Sequence, residues 1–448
     1  MRIIVVGGGL GGLVAALRVL ELGAEVTLLE KGDRPGGSFV YSGGYLWSYK
    51  DLQTFRREAP GGDITLQRLI LERLGPDLEW LEGHGAAVLT RETGNPLTIG
   101  ARLDLEQTVA ALADRIAAAG GRVLLGTALG GLVRDPEGHI AGVRGRRTER
   151  ADAVILASGG FAANPELVGR HIIRGPGRLR LRAHPWSTGD GFLAALRAGA
   201  LASAGLDEFY GRNLPAAPAS FPPEEFVEVS QLYGRYAVAI NRNGERYADE
   251  AADWSETALT QATARQPGLR AWYLLDAVGL RGRIRARTVE EMVETARRVG
   301  GTVLGAESLE ELAERLAGRG VPRANLLRTL AEYNAAVAGG NGGELSPPRS
   351  DPAVAVQAPP FVAVEVAPAI THTIGGLAVD EGCRVLRRMD GQPLPGLYAA
   401  GVEVGGVSVG GYTSGLASAL VFGRAAAASA ADDGGISGRR QARRETSI

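Results

Sequence analysis

Gly7, Gly9 and Gly12 stand at G-x-G-x-x-G spacing directly after the continuously apolar run Arg2–Val6. That spacing serves phosphate chemistry. Gly7 permits a tight turn, Gly9 lets backbone approach a pyrophosphate, and Gly12 allows close helix–strand packing. The helix that follows would turn its unpaired N–H groups toward the phosphates. Glu30 lies 18 residues beyond Gly12, at the end of a second apolar run, Glu25–Leu29, with Lys31 next to it. A carboxylate there would accept hydrogen bonds from ribose hydroxyls. The strand–helix–strand setting makes the pattern specific for a dinucleotide. A secretory signal is not expected, because no small-residue cleavage site follows a basic start.

Further glycine clusters recur along the chain. After Glu30 the sequence reads KGDRPGGSFVYSGGYLWS, with Gly36, Gly37 and Ser38, then Gly43 and Gly44, where a regular helix would otherwise follow. The buried-strand run at residues 153–157 leads into Ala157, Ser158 and Gly159, and Asp190 sits within STGDG. His372 adjoins Gly375 and Gly376, whose backbone N–H groups could bond the edge of a ring system. Residues 396–423 hold Gly401, Ser414 and Leu416, with Glu403 as their one charge. Eight glycines in that stretch make a lipid-facing helix poor, so a strand, a turn and a closing helix are expected instead.

Composition removes other chemistries. Cys383 is the single cysteine of 448 residues, which excludes an intramolecular disulfide and a cysteine-ligated cluster. The five histidines make no metal-ligand spacing. Lys31 and Lys50 are the sole lysines, leaving little scope for Schiff-base chemistry. A formal net charge of −1 argues against nucleic-acid binding. Glycine, at 65 residues, is about twice its usual share of roughly 7%, so backbone approach is a recurrent demand. No second G-x-G-x-x-G follows a strand downstream, so a separate NAD(P)H domain is not expected.

The elements that must position these residues can be read coarsely. A helix is expected over residues 103–119, ended by Gly120 and Gly121, then a strand at 122–125, a hairpin at 130–146 and a helix at 192–201. From about 202 to 350 the texture changes to prolines and charged helices, and residues 338–352 (AGGNGGELSPPRSDP) read as a linker. Buried-strand character returns at 361–366 and 376–379. The basic segment 436–448 is expected to be a disordered tail.

Four signatures coincide: the G-x-G-x-x-G unit with Glu30, ILASGGFAANPELV, TGDG, and LYAAGVEVGG. Together they resemble the fumarate reductase/succinate dehydrogenase flavoprotein family, which includes tricarballylate dehydrogenase-like proteins and 3-ketosteroid dehydrogenases. The resemblance implies an α/β fold: a Rossmann-like FAD-binding domain, residues 1–200 and 355–435, with an inserted α+β capping domain, 201–350. It implies FAD held by Gly7, Gly9, Gly12, Glu30, Lys31, Gly36, Gly37, Ser38, Gly43, Gly44, Ala157, Ser158, Gly159, Asp190, Gly401, Glu403, Ser414 and Leu416. The Gly36–Gly44 loop has no histidine, so the FAD is expected to be non-covalent.

For catalysis the resemblance points to His372 in THTIGGLAVD as the substrate contact. Arg281 in WYLLDAVGLR is implied as proton donor, with a solvated helix-end arginine as the competing reading and Tyr210 or Tyr45 as alternatives. Arg246 and Glu250 in YAVAINRNGERYADE match the segment that returns to the active site, Glu250 as a relay. Two departures stand out. Tyr412 occupies the place of an arginine that grips dicarboxylates, and Val402 occupies the place of an acid, with Glu403 one residue later. The implied function is an FAD-dependent oxidoreductase acting on a CH–CH or C=C bond beside a carbonyl or carboxylate. The alternatives are a flavin oxidase using dioxygen, or an FAD-binding subunit needing an electron-transfer partner. The expected ligand is a small keto compound or carboxylic acid, without nucleic acid or an integral membrane segment, and the expected location is cytoplasmic.

Overall fold

The computed structural model describes residues 1–173 and 179–435. The chain forms two compact units. One takes Met1–Ile172, Ala183–Phe209 and the chain from His372; the other takes Ile173–Arg182 and Tyr210–Thr371.

The first unit is built on a six-stranded sheet in the order Arg384–Leu386, Pro393–Ala399, Ala153–Leu156, Arg2–Val6, Glu25–Leu29, Arg122–Leu124. Pairing is parallel through the centre, with Val5 opposite both Ile155 and Leu28, and antiparallel at the Arg384–Leu386 edge. Ile3, Ile4 and Val5 are fully buried, as strands covered on both faces require. The helix Leu10–Glu21 meets the closing helix Gly415–Asp433 at close range: a Cβ on Gly423 would lie 2.7 Å from the Gly11 carbonyl oxygen. Arg424 of the closing helix pairs with Asp77 of the helix Ile64–Gly83 and lies over the Trp80 ring. The strands and helices of this unit form the Rossmann-like arrangement expected of residues at both ends of the sequence.

The second unit holds another six-stranded sheet. The long strand Phe361–Thr373 lies between Arg180–Leu181 and Ala271–Leu275, which pairs in turn with Val238–Ile240; Phe209–Pro215 and Val303–Ala306 also pair with the long strand. Alternation along Ala271–Leu275 sends Tyr273 and Leu275 into one apolar cluster, with Met292 and Val364, and Trp272 and Leu274 into another, with Leu312 and Leu326. The helix Val289–Arg298 begins with a reciprocal capping box between Thr288 and Glu291.

Two expectations shift. The chain passes between units at residues 172/173, 182/183, 209/210 and 371/372, not near 200 and 350–355. The segment read as a linker lies inside the second unit, where Arg349 is 3% exposed. Its Pro347 and Pro348 carbonyls accept hydrogen bonds from Arg246, so a proline-rich stretch that looked solvated is docked. The tail at 436–448 lies outside the described residues. Among the described residues no helix is long and apolar enough to cross a membrane.

Candidate functional site

The amino-terminal glycines do different work. Gly7 adopts φ +106°, and a Cβ there would lie 2.3 Å from the Ala157 carbonyl oxygen; a Cβ on Gly12 would lie 1.8 Å from the Gly7 carbonyl oxygen. Both positions demand glycine for reasons internal to the protein. Gly9 does not: its Cβ would meet nothing nearer than the Gly36 oxygen at 4.0 Å. The protein leaves room there, so the glycine fits a backbone approached by a ligand phosphate. Gly9 opens the helix Leu10–Glu21, whose start has no side-chain cap and no acid in its first turn, as an anion-binding helix start needs.

The second glycine loop seats on the first. Gly36 N–H donates to the Gly8 carbonyl at 2.8 Å, and Gly36 and Gly37 take φ +120° and +52° before the turn Gly37–Tyr41. The Ser38 hydroxyl accepts from the His184 N–H at 3.0 Å. The His184 ring stacks on Tyr41, and burial holds its pKa below the usual histidine value. The Gly43 carbonyl accepts from Arg102, while a Cβ on Gly44 would lie 2.5 Å from the Leu103 carbonyl oxygen.

Around these loops lies a ring of polar side chains. Glu30 is buried, its two carboxylate oxygens accepting from the Gly8 and Gly32 N–H groups at 2.6 Å each. Each oxygen keeps a second lone pair with which to accept from a diol. Lys31 donates to Thr188 and Asp190 at 2.6 and 2.7 Å and lies over Trp186. Ser158 donates to Glu403 Oε2 at 2.7 Å and accepts from Gly191 N–H at 3.1 Å. Glu403 is 1% exposed. Burial pushes its pKa up to about 8, opposed by the Ser158 hydroxyl and by the nearby Ser158 and Phe192 N–H groups, and reinforced by the Asp190 charge. Neither of those N–H groups makes a hydrogen bond of standard geometry to Oε1, which has no partner among the described residues. A buried orphan oxygen, a glycine with room for a phosphate and a diol-accepting carboxylate together fit FAD. Gly159, at φ +84°, Gly401, at φ +66°, and Leu416 belong to the same turns. Ser414 caps the closing helix and donates to the Tyr45 carbonyl at 2.9 Å.

His372 and Tyr412 are brought together, their ring centroids 5.9 Å apart. A Cβ on Gly415 would sit 3.0 Å from His372 Cε1, so the imidazole faces the start of the closing helix. Tyr412 packs edge-on to Trp47, and its carbonyl accepts from the Tyr49 hydroxyl at 2.8 Å. Next to them in sequence, Ser48, Thr373 and Thr413 have buried hydroxyls without hydrogen-bond partners among the described residues. Trp47, Tyr49 and His184 were not anticipated; YLWSY reads as an ordinary strand, and only contact with the distant segments 184–190 and 411–415 reveals their place. Gly375 and Gly376 behave differently from expectation: their N–H groups donate to the Gly205 carbonyl and the Ser203 hydroxyl, so they hold the loop instead of facing a ligand.

The remaining candidates lie in the second unit. Arg246 and Glu250 have side chains 3% and 0% exposed. Glu250 accepts from Arg246 Nε and Nη2 at 3.0 and 2.9 Å, from Arg349 Nη1 at 2.8 Å and from Ala239 N–H at 2.9 Å. All its acceptor capacity is engaged by one buried lattice of guanidinia and backbone, which leaves none for a relay. Arg281 ends the helix Ala277–Leu280, is exposed, and donates from Nε to the Ala277 carbonyl at 3.0 Å. Among the described residues it pairs with no acid, so no contact joins it to Glu250.

A family model described as an FAD binding domain matches residues 2–420. NADH:acrylate oxidoreductase of Vibrio harveyi is 27% identical over 96% of this chain, which spans half the length of that relative. 3-oxosteroid 1-dehydrogenase of Mycolicibacterium smegmatis is 24% identical over 89% of this chain and 91% of its own. The open conformation of a flavocytochrome c3 fumarate reductase is similar in structure, with a TM-score of 0.71 and 25% identity over 96% of this chain and 78% of that one.

Proposed function

The chain belongs to the FAD binding domain family, among FAD-dependent oxidoreductases of the fumarate reductase-like kind, and on that premise we propose that it reduces or dehydrogenates a carbon–carbon bond beside a carbonyl or carboxylate. The observation that carries this reading is the pairing of His372 with Tyr412 in the same unit as the FAD-fitting glycine turns. Bound FAD supplies hydride exchange at its N5. Gly9 and the start of the helix Leu10–Glu21 would hold the pyrophosphate, Glu30 the ribose, and Glu403 with Ser158 a neighbouring polar group of the cofactor.

The protein's own part is orientation and charge. The His372 imidazole and the Tyr412 phenol donate to the substrate oxygen conjugated with the reacting carbons, and stabilise the enolate-like charge that grows there. The aromatic wall of Trp47 and Tyr49 excludes water and strengthens both hydrogen bonds. A proton must reach or leave the adjacent carbon. Tyr45 is the candidate for that proton within the first unit; the other candidates, Arg281 and Tyr210, belong to the second. Arg246 and Glu250 are given a structural part, in the buried lattice of the second unit. The single cysteine, Cys383, cannot by itself ligate a cluster, so electrons enter or leave the flavin through a carrier that these residues do not supply.

The test is anaerobic spectroscopy of the purified holoprotein. Bleaching of the flavin by a 3-ketosteroid or a saturated acid, or re-oxidation of the reduced form by acrylate, fumarate or an enone, supports the reading. Indifference to every member of the panel overturns it, and rapid re-oxidation by air alone favours an oxidase.

A further inference from the structure

The chain from Gly405 to Gly411, which leads into Tyr412, has no helix or strand of its own, so neighbouring segments must fix where the phenol stands. Its start is joined to the segment that follows His372. Gly405 N–H donates to the Leu377 carbonyl and Gly406 N–H to the Ile374 carbonyl, at 3.0 Å each, and Leu377 N–H returns to the Glu403 carbonyl at 2.8 Å. A third piece of chain holds that same segment: Gly375 N–H donates to the Gly205 carbonyl at 2.8 Å and Ile374 N–H to the Glu208 carbonyl at 3.1 Å.

Beyond Gly406 this backbone pairing ends. The Val407 carbonyl accepts from Gln67 Nε2 and the Val409 carbonyl from Gly61 N–H, at 3.0 Å each. Gly410 then takes φ +80°, and its N–H donates to the Glu208 carboxylate at 2.7 Å. Glu208 is therefore tied to the backbone beside both rings of the candidate site. Its carbonyl takes the N–H two residues past His372, and its side chain takes the N–H two residues before Tyr412. Any residue at this position could make the first bond; the second belongs to the carboxylate. A charged acceptor makes such a bond about twice as strong as a neutral one.

We propose that Glu208 is a positioning residue for the reaction: by holding Gly410 it fixes the Tyr412 phenol against His372, so that both donors converge on one substrate oxygen. The proposal rests on the oxidoreductase reading, and every residue it uses lies in the first unit. Two donors stabilise a growing charge only when both reach it, and a misplacement of about 1 Å costs up to about 10²-fold in rate. Gly410 is exposed, so water accepts from its N–H when the carboxylate is removed. The fold then survives, and what is lost is the fixed place of the loop.

The experiment follows anaerobic re-oxidation of the reduced holoprotein by acrylate, fumarate or an enone. For Glu208→Ala, kcat should fall by about 10–100-fold, with KM within about three-fold of the parent and with parent FAD content and Tm. Glu208→Gln keeps an amide oxygen that accepts from Gly410, so it should recover most of the loss. Added to Tyr412→Phe, Glu208→Ala should change kcat by less than about two-fold, because a misplaced loop harms only the hydroxyl it carries. A second measurement avoids turnover: deuterium uptake by the peptide spanning residues 405–414 should be faster in Glu208→Ala than in the parent, and parent-like in Glu208→Gln.

An unchanged kcat or unchanged uptake in Glu208→Ala overturns the proposal and leaves the oxidoreductase reading in place, as does a full loss on the Tyr412→Phe background. A parent protein re-oxidised by no member of the panel overturns that reading and the proposal with it.

Discussion

His372 stands at the first position of the chain's return to the first unit, against Tyr412 and the start of the closing helix. Removing the imidazole takes away one donor to a growing oxyanion, so His372→Ala should lower kcat by about 10²–10³-fold while FAD content, read from the 450 nm band relative to protein, is unchanged. Glu403 makes a prediction in pH. Its pKa in the fold is raised from 4.5 to about 8, so its contribution to stability is full below about pH 4.5 and is lost as pH rises through about 8. Thermal melts of apoprotein at pH 5 and pH 9 should therefore differ less in Glu403→Gln than in the parent. An equal difference would show that Glu403 titrates normally. At this scale His372 and Glu30 were legible because short motifs surround them. The buried pairing of Arg349 with Glu250 was not: the two residues are far apart in sequence, and PPRSDP carries every local sign of a solvated loop.

Elements were more legible than their edges. The helix expected at 103–119 is Leu105–Ala118, shortened because Asp104 leaves the helical pattern to cap it, accepting from Gln107 N–H at 2.9 Å. The two-residue strand Arg180–Leu181 has no pattern of its own; it exists through pairing with Ala369 and Ile370. The glycine turn separates fold from ligand. Gly12→Ala places a methyl 1.8 Å from the Gly7 carbonyl oxygen and should prevent accumulation of folded protein. Gly9→Ala meets only the Gly36 oxygen at 4.0 Å, so it should fold with a near-parent Tm and bind FAD at least about 10-fold more weakly, a loss on the scale of one phosphate contact. A Gly9→Ala protein with parent FAD affinity, by fluorescence titration, would remove the phosphate from this turn.

For the whole molecule, what holds each unit differs in kind. The first is organised by parallel strands and glycine-mediated helix contact, the second by apolar clusters on both faces of its sheet and one buried acid between two arginines. Neutralising that acid strands two desolvated cations. Glu250→Gln should cost about 3–5 kcal/mol in urea-melt stability, with FAD affinity retained because the lattice lies wholly in the second unit.

The interleaving of the two units carries a consequence for synthesis. The strand Arg2–Val6 is completed by Ala153–Leu156 and then, through it, by Pro393–Ala399, with the closing helix Gly415–Asp433 laid against the first helix. A ribosome adding about 5–20 residues per second makes the opening strand tens of seconds before its last companions emerge. The nascent chain must shield Ile3, Ile4 and Val5 for that interval, and FAD has a finished seat only once the chain has emerged as far as the closing helix, Gly415–Asp433.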